Sequence, residues 1–359
     1  MSGGIAVSPF TPGTQIAHLH TFDVFAEAGV ALLMFSTGVE FSMSALMRVK
    51  WVALAGAPIG IALITTITIP LSKLTGMSVA EGLVIGATIS VASTMVLARL
   101  LNDSGKMSTL MGQIMIGISL VEDLAVICMT VALPAFAGPA GGRTAKVTWA
   151  IAKALALLVP MVFIAMKIIP PLLRRVKATC NSELFLLVTL CVCLGTAAVA
   201  QGLGLSIALG AFVAGLSLSE STDLHEAERQ LSPLRDTSVA LFFVSLGALM
   251  DPKIVLNNLP LLCLMLVVIL IGKLVVWTAV VRMFGYPTQT AASVAAGLSQ
   301  IGELSFVVVQ VAHSLGLVGE NVFSTTIAAS LVSILMNVFL VRYVFGRTEP
   351  LRIPMEICA

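Results

Sequence analysis

Hydrophobic positions along this chain fall in long unbroken runs, with no strand-like alternation to compete with them. Eleven runs stand out, at approximately 24–42, 51–72, 79–101, 110–137, 149–173, 182–202, 205–220, 233–250, 257–284, 288–314 and 322–346. Most approach the 20 or so residues that a helix needs to cross a bilayer, so the pattern predicts an all-α polytopic membrane protein. The connections are short and carry turn chemistry, as in "AGPAGGR" at 137–143 and "NDSGK" at 102–106. They leave no room for a soluble domain among the spans. We therefore read residues 1–359 as a single membrane unit.

Composition sharpens this. Hydrophobic residues make up 58% of the chain and charged residues 11%, against about 25% charged in a soluble domain. So few charges cannot cover a water-facing surface, which excludes a soluble enzyme. The net charge of +2 gives no reason to expect nucleic acid as a partner; the lipid bilayer is the expected one. The six Cys lack a C-x-x-C spacing and read as apolar filler. The first 13 residues, "MSGGIAVSPFTPG", lack the charged start and apolar core of a signal peptide. They resemble the tail of a further helix, as if the chain starts late.

Lys and Arg set the orientation. Numbering connections alternately, one side holds Arg48, Lys50, Arg99, Lys106, Arg174, Arg175, Lys177, Arg229, Arg235, Arg282, Arg342, Arg347 and Arg352. The other holds only Lys73, Arg143, Lys146 and Lys253. The positive-inside rule places the first group, and with it the C-terminus, in the cytoplasm.

Four ionisable residues lie where hydrocarbon is expected: Glu122 and Asp123 within "GISLVEDLAVICMTVALP", Lys273 within "LCLMLVVILIGKLVVWTAVV" and Glu303 within "AAGLSQIGELSFVVVQVA". Each costs about 2.5–3.5 kcal/mol at the bilayer centre. They must pair, or line a water-filled cavity, or both. A static ion pair between Lys273 and one acid would fasten helices together, yet three acids against one base leave negative charge over. Adjacent Glu122 and Asp123 point about 100° apart on a helix, so one can face a base while the other faces a cavity. A surplus carboxylate neutralised by a proton or a metal cation is a transport site.

Two spans are interrupted by small polar residues. Gly82 and Gly86 form a G-x-x-x-G suited to close packing, and Ser90, Ser93 and Thr94 then break the third run at its middle. The tenth run has Gly297, Ser299, Gln300, Gly302, Glu303 and Ser305 within nine residues. Such hydroxyls can simply bond their own helix, but two clusters at matching depth predict discontinuous helices whose freed carbonyls and dipole ends serve an ion. Spans three and ten run in opposite directions, as an inverted repeat requires. The repeat would also pair span two with nine and four with eleven, setting Asn337 roughly opposite "SLVED".

With these residues in view the chain resembles the Kef-type branch of the cation:proton antiporter superfamily, with the sodium/proton exchanger fold. The likeness rests on "SPFTPG" (8–13), "LLMFSTGVEFS" (32–42), "STMVLARLL" (93–101), "GQIMIGISLVEDLAVI" (112–127), "ALGAFVAGLSLSES" (208–221), "PLRDTSVALFFVSLGALMDP" (233–252) and "LSQIGELSFVV" (298–308). The resemblance implies thirteen helices in a dimerisation domain and a core domain, moving in an elevator-like way, with two crossed, partly unwound helices. It puts the core helices mainly at 14–137 and 255–346 and the linker and dimer-side helices at 149–250. It implies cation and proton binding at Asp123, with Glu122 beside it and Ser93 and Thr94 on the first unwound helix. Lys273 matches the lysine that pairs with the first acid, and Gln300, Gly302 and Glu303 match the second unwound helix. Eleven runs against thirteen helices implies loss of the first helix and most of the second. The cytoplasmic nucleotide-binding domain common in Kef-type proteins would also be missing.

The expected function is exchange of potassium or sodium for protons, competing for Asp123, in an inner bacterial membrane. The cation and proton are cargo and no resident cofactor is expected; the intact family member would be a homodimer. The cycle is electrogenic if Lys273 releases a proton when the cation arrives, and electroneutral if its pair with Glu122 never opens. A channel-like protein or a non-transporting remnant of the same fold is the alternative. An intramembrane hydrolase, which paired acids could serve, lacks its motifs: there is no G-x-G-D, and Arg229 stands where "HEAER" would need a second His for zinc. The protein is not expected to be an enzyme.

Overall fold

The computed structural model describes residues 29–36, 38–39, 47–107, 109–137, 143–179, 181–203, 205, 207–218, 233, 237, 240, 244, 252–302 and 304–345. Its helices, in chain order, are α1 (Lys50–Leu54), α2 (Gly56–Leu74), α3 (Val79–Ser90), α4 (Thr94–Asp103), α5 (Leu110–Ala137), α6 (Arg143–Lys177), α7 (Ser182–Gly202), α8 (Ile207–Leu216), α9 (Pro252–Asn257), α10 (Leu259–Val267), α11 (Lys273–Met283), α12 (Thr288–Leu298), α13 (Leu304–Ser314) and α14 (Glu320–Phe345). A π-helical turn, Val268–Gly272, joins α10 to α11.

Among the described residues five stretches are long and apolar enough to cross a membrane: Lys50–Leu74, Leu110–Pro134, Ser182–Gly202, Leu259–Met283 and Glu320–Phe345. At about 1.5 Å per residue each exceeds the ~30 Å hydrocarbon layer. The apolar helices Val79–Ser90, Ile207–Leu216 and Leu304–Ser314 are shorter. Of the predicted span at 24–42, residues 29–36 and 38–39 are described and helical, whereas the span at 233–250 lies largely outside the described residues.

The chain divides into two compact units, Met1–Ser42 with Thr130–Pro252, and Met43–Met129 with Lys253–Ala359. In the first, α6, α7 and α8 pack on one another. Cys193 is buried, its thiol 3.8 Å from the Ala31 carbonyl, whereas Cys128, Cys191 and Cys263 are exposed.

In the second unit α2 packs along α3, and α11 along α12. The G-x-x-x-G does what its spacing predicts. A side chain on Gly82 would collide with Ser72, and one on Gly86 with Thr68 and Thr65. The close approach lets the Thr68 hydroxyl donate across to the Gly82 carbonyl at 3.0 Å. A capping box, with Ser78 and Glu81 each bonding the other's backbone, starts α3. Between α4 and α5, the Lys106 amine donates to the Phe345 carbonyl at 2.9 Å and sits over the Phe345 ring. Burial there lowers the amine's pKa below the usual lysine value.

Two helix–break–helix pairs dominate this unit. The α3–α4 pair is interrupted at Val91–Ser93, and α12–α13 from Ser299 onward. No proline causes either break. Ser93 starts α4 by accepting from the Val96 N–H at 3.2 Å. The breaks meet where Gly302 N–H donates to the Val91 carbonyl at 3.0 Å.

Candidate functional site

A break inside an apolar helix frees backbone groups that cannot turn to water, so each must find a partner. At the first break the Ala92 N–H donates to Glu122 Oε2 at 2.8 Å. The Val91 carbonyl accepts from Gly302 N–H and, at 3.4 Å, from the Ser305 hydroxyl. The Ser93 carbonyl accepts the Gln300 side-chain amide at 3.3 Å. One residue on, the Thr94 hydroxyl donates to Asp123 Oδ2 at 2.8 Å. Both acids come from the middle of α5 and are buried, Glu122 fully and Asp123 with 3% exposure. Their neighbouring positions carry them about 100° apart around the helix, one to the broken backbone and one to the hydroxyl that opens α4.

The second break uses opposite chemistry. The Gln300 carbonyl accepts from the Lys273 amine at 2.7 Å, a fully buried charge. The Asn337 amide donates to the carbonyls of Ala296, at 2.6 Å, and Ser299, at 3.1 Å. Ile301 is held from α14, its N–H by the Ser333 hydroxyl and its carbonyl by Ser330, each at 3.4 Å. Gly302 lies so close to the first break that an added Cβ would meet the Ala92 carbonyl oxygen at 2.6 Å and the Ser93 nitrogen at 2.7 Å. Only glycine fits there.

Of the residues singled out in the sequence, Glu122, Asp123, Ser93, Thr94, Lys273, Gln300 and Gly302 are gathered at the crossing of the two breaks. Glu303 lies outside the described residues. Lys273 is anchored by hydrogen bond to a backbone carbonyl. Asn337 does not stand opposite the acid pair. Ser330 and Ser333 do: Ser119-Leu120-Val121-Glu122 in α5 is echoed by Ser330-Leu331-Val332-Ser333 in α14, and Glu122 and Ser333 each hold the N–H of a break residue. These two serines had a sequence signal, polar positions three apart in an apolar helix, but hydroxyls so placed usually bond their own turn. The carboxylate of Asp123 and the hydroxyl of Thr94 are hard oxygen donors suited to a small cation. Among the described residues no cluster of three or more His, Cys, Asp or Glu forms a transition-metal site.

Comparison with known proteins finds relatives of the whole chain. Residues 1–345 match the family described as "Sodium/hydrogen exchanger, transmembrane". The protein YbaL of Escherichia coli (strain K12), assigned by its name to cation/proton antiport, is 37% identical over 380 residues, covering 99% of this chain and 68% of its own length. The K(+) efflux antiporter 4 of Arabidopsis thaliana is 29% identical over 348 residues, covering 95% of this chain and 58% of its own. The chain thus spans roughly two-thirds or less of the length of these relatives. The structure of the sodium proton antiporter MjNhaP1 from Methanocaldococcus jannaschii superposes with a TM-score of 0.68 at 16% identity, over 96% of this chain and 89% of that one. At that identity the likeness speaks for the fold.

Proposed function

This chain belongs to the sodium/hydrogen exchanger family, and we propose that it exchanges a monovalent cation, potassium or sodium, for protons at Asp123. The observation that carries the proposal is a buried carboxylate in an apolar helix, beside a helix break and hydrogen-bonded by the hydroxyl that opens the next half-helix. Such a group needs a positive partner at mid-membrane, and a proton and a cation can serve in turn. Since one site holds one or the other, competition couples their opposite movements without separate gates.

The remaining residues have distinct parts. Glu122 takes the freed Ala92 N–H, and Asp123, held by the Thr94 hydroxyl, is the exchanging acid. Thr94 orients the Asp123 carboxylate, with Ser93 shaping the start of α4. Lys273 balances charge from the second break, where Gln300 and Gly302 lie in the unwound segment and Glu303 follows them in the sequence. The helices at 14–137 and 255–346 would carry the ion in an elevator-like movement against those at 149–250, which would supply the dimer contact. The protein is integral to the membrane; we place it in a bacterial inner membrane with its C-terminus in the cytoplasm. No resident cofactor is needed.

The test is proton flux in proteoliposomes under an imposed potassium or sodium gradient. The wild-type chain should move protons with at least one of the two cations, and Asp123→Asn should not. Insertion without coupled flux in the wild type would instead favour a non-transporting member of the fold, and currents far above antiporter turnover a channel.

A further inference from the structure

The second break is held by α14. On α14, Thr326, Ser330, Ser333 and Asn337 recur at spacings of four, three and four residues, one face of an α-helix, and all are buried. Three of them bond the broken segment between α12 and α13. Asn337 makes the shortest contact, and both of its bonds are donated. Its Oδ1, although buried, finds no donor among the described residues. An orphaned buried oxygen is unfavourable. Its retention indicates that this position is there to give N–H groups to the carbonyls of Ala296 and Ser299.

Those carbonyls adjoin Gln300, whose carbonyl anchors Lys273 and whose side-chain amide reaches Ser93 beside Thr94 and Asp123. We propose that Asn337 is a positioning residue for the exchange site: its two N–H bonds lock the end of α12, and so fix Gln300 where it can hold Lys273 and the first break together. It also occupies carbonyls that would otherwise coordinate a cation at the negative end of α12. Asn337 acts through Gln300 and touches no transported ion.

This inference rests on the antiport reading, and the experiment separates the two. Asn337→Leu keeps the volume and removes both donors; Asn337→Gln keeps an amide. In proteoliposomes the half-saturating cation concentration of Asn337→Leu should rise about tenfold, with a displaced pH profile of exchange, and Asn337→Gln should recover most of the difference. A folded Asn337→Leu with the wild-type half-saturation and pH profile overturns the proposal. So does equal damage in both variants. Where Asn337→Leu fails to give monodisperse protein, Asn337→Ser, with one donor for two carbonyls, should give an intermediate half-saturation; wild-type values would overturn the idea. Hydrogen exchange at Ser299–Gly302 serves if the wild type shows no coupled flux and the antiport reading itself fails. Exchange there should quicken about tenfold in a folded Asn337 variant, and unchanged exchange would reject the positioning role.

Discussion

The two breaks face the same backbone problem and solve it with opposite charges. At Val91–Ser93 the critical free group is an N–H, and a carboxylate from α5 takes it. At Ser299–Gly302 the free groups are mainly carbonyls, and an ammonium from α11 and an amide from α14 take them. The inverted repeat reproduces the path of the chain but not its chemistry. Where α5 carries Glu122 and Asp123, α14 carries Ser333 and Ile334. Among the described residues the acids, Glu122 and Asp123, stand at the first break, where we propose that exchange takes place, and the second break serves as an anchor. Symmetry of fold and asymmetry of function therefore coexist in one unit.

The contrast can be broken most completely at its acid. Asp123→Asn should lower cation-driven proton flux by about a thousandfold, some 4 kcal/mol, the scale of losing a buried charge from its partner. Vesicle flux with equal amounts of inserted protein checks this. Next comes the crossing itself. Gly302→Ala puts a methyl group against rigid backbone of the first break, and should destabilise the protein by about 3 kcal/mol. Gly297→Ala presses instead mainly on the flexible Met115 side chain, near 2.8 Å, and should cost under about 1 kcal/mol. Unfolding curves of both variants in the same detergent give the comparison.

A smaller difference separates the two caps. Lys273→Met leaves the Gln300 carbonyl unpaired in a dry site and should cost about 2 kcal/mol. Glu122→Gln still offers an oxygen to the Ala92 N–H and should cost about 1 kcal/mol or less. Reversal of that order would mean that the first break, not the second, is the anchor. Smallest is the turn between α13 and α14, where His313 lies 3.2 Å from Glu320 and stacks on Phe323. Both side chains are partly open to water, so His313→Ala should change stability by under about 1 kcal/mol, measured at low and high salt.

The acids and Lys273 were legible in the sequence because a charge inside an apolar run is costly and must have a reason. The breaks were legible from small polar residues at matching depths, and G-x-x-x-G from its spacing. Backbone partners were not. Nothing in the letters says that Lys273 would choose the carbonyl of Gln300, that Ala92 would offer its N–H to Glu122, or that Gly302 must be small because Ala92 lies against it. Those follow from how two chain paths cross. Asn337 was visible as a polar residue, but its role depended on which carbonyls the break released, and the repeat read from sequence alone set it a turn or so out of register with the acid pair.

The most direct test of competition at Asp123 is proton release on cation binding, followed in weakly buffered detergent solution by a pH indicator as potassium or sodium is added. Competition predicts that the wild type releases close to one proton per cation bound when the site starts protonated, and about half a proton when it starts half-protonated, with apparent affinity rising as pH rises, and that Asp123→Asn releases none. Cation binding without proton release, or with an affinity indifferent to pH, would contradict it.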